Sequence, residues 1–99
     1  MGQREIIIKE SVADSIAEIA WYIESKGLVA TAEKFADNVY DFFVKLSDPR
    51  RIHAICRDPE RSYIGYKCIS YKKKYTIVFL ESADELIICE FLPSKNIHW

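Results

Sequence analysis

Ninety-nine residues make a single domain, enough to bury a core and too few for two. An apolar content of 49% with three Gly and three Pro argues against disorder, and a net charge of −1 argues against a broad cationic surface wrapped on nucleic acid. No apolar run approaches the roughly 20 residues of a membrane span, and no charged-then-apolar leader opens the chain, so the expectation is a cytoplasmic protein with no membrane contact. Met1-Gly2 is followed by Ile6 where a myristoylation motif wants Ser or Thr.

The first element is Glu5 to Lys9, a β-branched run flanked by charge, which reads as a strand joining the sheet at one side. From Ser11 to Leu46 the chain reads as two amphipathic helices meeting at Lys26-Gly27. Val12, Ile16, Ile19, Ala20 and Ile23 fall on one face. Ala32, Phe35, Ala36, Val39, Phe43 and Leu46 do the same in the second helix. Ser11 and Asp14 have the form of a capping box, Gly27 suits a left-handed helix end, and Pro49 stops the second helix.

Beyond Pro49 the charge changes sign. Residues 1 to 48 carry −4, residues 49 to 99 carry +3, and the window from 50 to 74 reaches +6. Such a concentrated field suits an acidic partner, and a solubilising edge is the plainer reading. His53 lies in this basic loop, where an exposed, solvated side chain is expected. Cys56, Cys68 and Cys89 are odd in number and have no metal-like spacing, so reduced structural thiols are expected, with no metal and no cofactor.

The rest reads as an antiparallel meander: Ser62 to Tyr71, then Tyr75 to Ser82, then Glu85 to Leu92. With Lys72 to Lys74 as the first turn, Tyr71 lies opposite Tyr75, Ile69 opposite Ile77 and Lys67 opposite Phe79. By two-residue alternation Tyr63, Lys67, Ile69 and Tyr71 share a face, and a regular last strand puts Lys95 on it too. Arg61, Lys67 and Lys95 would then line one aromatic-edged surface fit for anions, unless the tyrosines are sheet packing with lysines laid over them. Glu81 and Glu85 flank a turn and read as solubilising charges. The expected fold is α+β: an N-terminal strand, a helical hairpin, then a three-stranded antiparallel meander, forming one sheet packed on the helices.

Ala17-Glu18-Ile19-Ala20-Trp21-Tyr22-Ile23, then Ala32-Glu33-Lys34-Phe35, Leu46 and Pro49, a basic loop, Gly65-Tyr66-Lys67 and Tyr75 to Phe79 follow one another in an order that resembles RelE/ParE superfamily toxins of bacterial type II toxin–antitoxin (plasmid stabilisation) systems. The resemblance spans nearly the whole chain and implies a growth inhibitor neutralised by a cognate antitoxin. RelE-like members cut messenger RNA on the ribosome; ParE-like members bind DNA gyrase. A shared fold does not choose between them.

Carried over by position, the resemblance implies nuclease residues at Lys67, Lys95 and His98, and Arg61 joins them from the shared surface to complete the set of a ribosome-dependent nuclease. Lys67 and Lys95 stand where relatives have arginine, Leu92 stands where part of the family has histidine, and His98-Trp99 is similar to a His-Tyr type ending. Lysine keeps the charge but loses the bidentate fork that grips phosphate, which weakens the nuclease reading. The nearer branch is therefore ParE, acting by binding. A ribosome-dependent endoribonuclease and a degenerate, non-toxic partner binder remain as alternatives. Partner contacts are assigned to Trp21, Tyr22, Arg57, Tyr71, Tyr75 and Trp99, with Trp21 and Tyr22 edging a groove between hairpin and sheet. The partners are the antitoxin and either gyrase or ribosome and mRNA, and self-association as a homodimer stays open.

Overall fold

Glu5–Ile8 forms β1, and a single residue, Lys9, separates it from α1, Glu10–Ser25. The computed structural model describes residues 4–48, 50 and 53–97. After α1 come α2 (Val29–Leu46), a short α3 (Pro59–Ile64), β2 (Lys67–Tyr71), β3 (Tyr75–Glu81), β4 (Glu85–Pro93) and a 3-10 turn at Ser94–Asn96. The strands make one mixed sheet in the order β1-β4-β3-β2. β1 runs parallel to β4, and β3 is antiparallel to both of its neighbours, β4 and β2.

The helical hairpin packs on one face of this sheet. Val12 and Ile16 of α1 and Val39, Phe43 and Leu46 of α2 meet Tyr71, Ile77, Phe79, Leu86, Ile88 and Phe91, all buried. These are the helix positions that the apolar period picks out, so hydrophobic spacing alone chose the buried faces. Gly27 has φ +83°, the left-handed conformation that closes α1.

Three expectations fail. Ser11 does not cap α1: the helix begins at Glu10, with Lys9 in the cap position and no side-chain cap bond, because β1 ends so close that the chain must turn before Ser11. The stretch from Ser62 to Tyr71 is not one strand. Asp58 accepts a hydrogen bond from the Arg61 N–H at the start of α3, Pro59 opens the helix, and Gly65 at φ +95° ends it, so Tyr63 stands on a helix and is 92% exposed. β4 is not regular either. Val78 pairs with Glu90 but Phe79 with Ile88, so Cys89 is an extra residue and the alternation slips there. The bulge lets Leu86, Ile88 and Phe91 all reach the same core. Pro49 lies outside the described residues.

The β2–β3 register is as expected: Tyr71 faces Tyr75, Ile69 faces Ile77 and Lys67 faces Phe79. The connecting turn closes with the Lys74 N–H on the Tyr71 carbonyl at 3.1 Å, and Lys72 and Lys73 carry φ of 52° and 62°. Side chains other than Gly, Asn and Asp pay steric energy there, and a hairpin turn with two positive φ values favours Asn-Gly. Replacing Lys72-Lys73 by Asn-Gly is expected to stabilise the fold by about 1 kcal/mol, read as a raised denaturant midpoint at unchanged slope.

Candidate functional site

Where α1 passes the β2–β3 turn, the surface holds a groove of about 560 Å³. Ile19 and Tyr22 of α1 and Tyr75 and Pro93 of the sheet give it an apolar lining, and Lys73, Lys74 and Lys95 bring cations to it. Glu18 is the acidic residue on its wall. A second depression continues beside it along α2, where Phe35, Tyr71 and Tyr75 meet Lys34, Lys72 and Lys74. Ring contacts fix the tyrosines: Tyr75 stacks on Phe91 at 4.9 Å, and Tyr71 lies 4.9 Å from Phe42. Lys26 Nζ sits 5.1 Å from the centre of the Tyr22 ring.

The assigned partner residues divide. Tyr22 and Tyr75 line the groove, and Tyr71 lines the depression beside it while contributing to the core at 5% exposure. Burial first, and the Asp41 charge second, raise the Tyr71 hydroxyl above its ordinary pKa, so it stays neutral beside the lysines. Trp21 is 70% exposed and does not line the groove. Arg57 lies elsewhere, on the sheet face away from the hairpin. Trp99 and His98 lie outside the described residues.

Of the nuclease set, Arg61, Lys67 and Lys95 do not converge. Lys67 is on the helix-facing side at one end of β2, and its Nζ donates to Glu81 Oε1 at 2.7 Å. Arg61, on α3, reaches over the opposite face. Its Nε and Nη2 grip both oxygens of Glu90 at 2.8 Å, and Nη1 donates to Asp58 at 2.8 Å. The Glu90 contacts, against the cost of burial and with help from Asp58, hold the guanidinium firmly charged. Lys95 sits past β4 beside the turn, exposed, at the end of the sheet where Tyr75 pairs with Pro93. Four strand residues, roughly 13 Å, separate that end from Lys67. The expectation of one surface shared by Arg61, Lys67 and Lys95 is therefore corrected. α3 replaces the strand that would have aligned Arg61, and β4 gives way to a 3-10 turn before Lys95.

Two further corrections concern residues set aside as bland. Glu81 is a hub: its side chain is 9% exposed, and Arg4 Nη1 donates to Oε2 at 2.6 Å while Lys67 holds Oε1. Burial alone would raise its pKa, but the hydrogen bonds from Lys67 and Arg4 outweigh burial and hold the carboxyl below its ordinary range. His53 is half-buried, its ring edge-on to Phe79 at 5.1 Å, with Nε2 buried and without a hydrogen-bond partner among the described residues. Cys56 and Cys68 are joined in a disulfide, and Cys89 alone is a buried thiol. Backbone pairing of the loop with β2 brings the two together, which no spacing rule on odd cysteines could show. Among the described residues no three His, Cys, Asp or Glu side chains gather as a metal site would, and no helix is long and apolar enough to cross a membrane.

No protein-family model matches the chain, and no curated protein matches it.

The Glu81 hub gives a stability prediction. Glu81→Gln leaves Arg4 and Lys67 partly buried without their counter-charge and is expected to cost about 2 kcal/mol at neutral pH, less than a fully buried pair because the cations keep some solvent contact. The carboxyl pKa is lower folded than unfolded, so its contribution is present above the unfolded value near about 4.3 and disappears as pH falls through the lower folded value. The gap between parent and variant in urea midpoint should therefore narrow as pH falls below the unfolded value and close once pH has passed below the folded one.

Proposed function

We propose that this chain is a growth-inhibiting toxin of a type II toxin–antitoxin pair, related to the RelE/ParE superfamily and nearer its ParE branch. It acts by binding DNA gyrase, and a cognate antitoxin neutralises it through the groove beside Tyr22 and Tyr75. The element order of strand, helical hairpin and antiparallel meander agrees with the layout the resemblance implies, and the α+β sheet packs on the hairpin as such a domain would.

One observation favours binding over cutting. Cleavage of RNA through its 2′-hydroxyl needs cations gathered around one phosphate and a group that moves the proton. Arg61 is held by Glu90 and Asp58 on one face, Lys67 by Glu81 on the other, and Lys95 lies at the far end of the sheet. A nuclease would have to break partly buried ion pairs before touching its substrate. A docking surface needs nothing of the kind. An apolar groove with lysines around it suits an acidic amphipathic segment, which buries its apolar side chains and pairs its carboxylates. Assignment of gyrase as the target rests on the ParE side of the resemblance.

The test is induction of this chain alone in a bacterial host, with labelled thymidine and labelled methionine uptake followed over the first minutes. Thymidine incorporation is expected to fall first, with messenger RNA intact by primer extension. Methionine falling first, with new cuts within codons, would establish the ribosome-dependent nuclease instead. No fall in either, with soluble protein present, would leave a partner binder without toxicity.

A further inference from the structure

The Cys56–Cys68 disulfide links residues 12 positions apart, with Cα atoms 4.8 Å apart. It ties a short segment to the outer edge of β2. There the Cys56 N–H donates to the Tyr66 carbonyl at 3.0 Å and the Cys68 N–H to the Ala54 carbonyl at 3.2 Å, with Ile55 bridged to Lys67. Ala54 and Ile55 are exposed, so within this segment only Cys56 is buried. The covalent bond adds to these hydrogen bonds a link that the chain cannot slip.

The two ends of the bond differ in access. Cys56 is buried at 4% exposure. Cys68 is half-buried and lines a cleft of about 490 Å³ on the sheet face away from the hairpin, beside Ser70, Thr76 and Ser94. Arg57, exposed, lines the same cleft. Thiol–disulfide exchange needs an approach to one sulfur and passes through a transition state with negative charge spread over three sulfurs. A guanidinium lining the cleft through which a thiolate enters draws it in and favours the charge that develops.

We infer that Cys56–Cys68 is a thiol-exchange site that takes a dithiol reductant through this cleft, with attack at Cys68 and Arg57 as the stabilising cation. One thiolate of the reductant attacks the Cys68 sulfur. A mixed disulfide forms as the Cys56–Cys68 bond breaks, and Cys56 leaves as a thiolate that takes a proton from water. The second thiolate attacks the reductant's own first sulfur, closes a cyclic disulfide and releases Cys68, which is protonated in turn. Two electrons pass from the dithiol to the protein, and the two protons the dithiol lost to water on ionising are balanced by the two that Cys56 and Cys68 take up from water. The product is a chain whose Ala54–Cys56 segment is held by its backbone hydrogen bonds to β2 and by the burial of Cys56 alone, so the outer edge of β2 opens more readily. The inference is independent of the toxin reading, since no target or antitoxin enters it.

The experiment treats the native protein with dithiothreitol, quenches with iodoacetamide and follows the masses of the Cys56 and Cys68 peptides. Reduction without denaturant is expected, with Cys89 unlabelled. Arg57→Gln should slow it roughly threefold to tenfold while Arg57→Lys keeps the parent rate. Since Arg57 is exposed, both variants should keep the parent's unfolding midpoint, which is checked alongside. In the reduced, alkylated protein the Cys56 and Cys68 amides should exchange with deuterium roughly tenfold faster while those of β3 and β4 stay protected. Reduction that occurs only in denaturant, or a parent-like rate in Arg57→Gln, would overturn the exchange site. Unchanged amide protection after reduction would overturn the opening of the β2 edge.

Discussion

Burial of one face of β3 and β4 under the helical hairpin is the constraint on which the other features depend. β4 takes β1 on one side and β3 on the other, so it is internal to the sheet, and Leu86, Ile88 and Phe91 must all point at α1 and α2. A regular strand cannot do this, since residues 88 and 91 have opposite parity. The bulge at Cys89 resolves the conflict and, in the same step, sends Glu90 to the far face opposite Val78. There it meets Arg61, and that bidentate pair with Asp58 lays α3 across the sheet. Core packing thus determines where a surface helix docks.

The same burial sorts the charges. A face occupied by Ile77, Phe79 and Phe43 has no place for an unpaired ion, so cations with the wrong parity find carboxylates at its edge. Lys67 has the core-facing parity of Ile69 and Tyr71, and it is tolerated because it lies at the end of β2, where Glu81 and Arg4 complete a three-membered set. Around that set Arg4 Nε and His53 Nε2 are buried with no hydrogen-bond partner among the described residues, so this end of the sheet holds polar atoms as well as ion pairs.

What could be read from the sequence was what hydrophobic period and turn chemistry control. The two helices, the Gly27 end, the N-terminal strand at the sheet's side and the Tyr71–Tyr75 register all follow from local pattern, and each appears in the structure. The failures are non-local or were misread. Asp58-Pro59 followed by Gly65 is a sufficient local signal for α3, overlooked because Ser62 to Tyr71 also fits a strand. The bulge, the Glu81 hub and the Cys56–Cys68 bond could not be read in this way. Each depends on residues from separate elements meeting, and two-residue alternation carries no information about partners across a sheet. Of the candidate site, the pairing of Tyr71 with Tyr75 at the hairpin turn was legible, whereas the groove edge expected at Trp21 and Tyr22 holds Tyr22 without Trp21. The convergence of Arg61, Lys67 and Lys95 was an artefact of assuming a regular strand.

The fate of the basic window carries the functional argument furthest. As sequence it is a strong positive field, the kind that suggests phosphate binding. Folded, Arg61 is matched by Glu90 and Asp58, Lys67 by Glu81, and Arg50 by Asp48 at 2.9 Å. The lysines of the turn stand apart from these pairs, together with Lys95, around an apolar groove. Ribosomal RNA is held by many phosphate contacts spread over a wide surface, and the sum of such contacts sets the affinity. A few lysines bordering Ile19, Tyr22 and Tyr75 offer instead a short stretch of charge complementarity over a surface that gains from being dried. That combination selects a ligand carrying both apolar side chains and carboxylates, and a protein segment has both where an RNA backbone has neither.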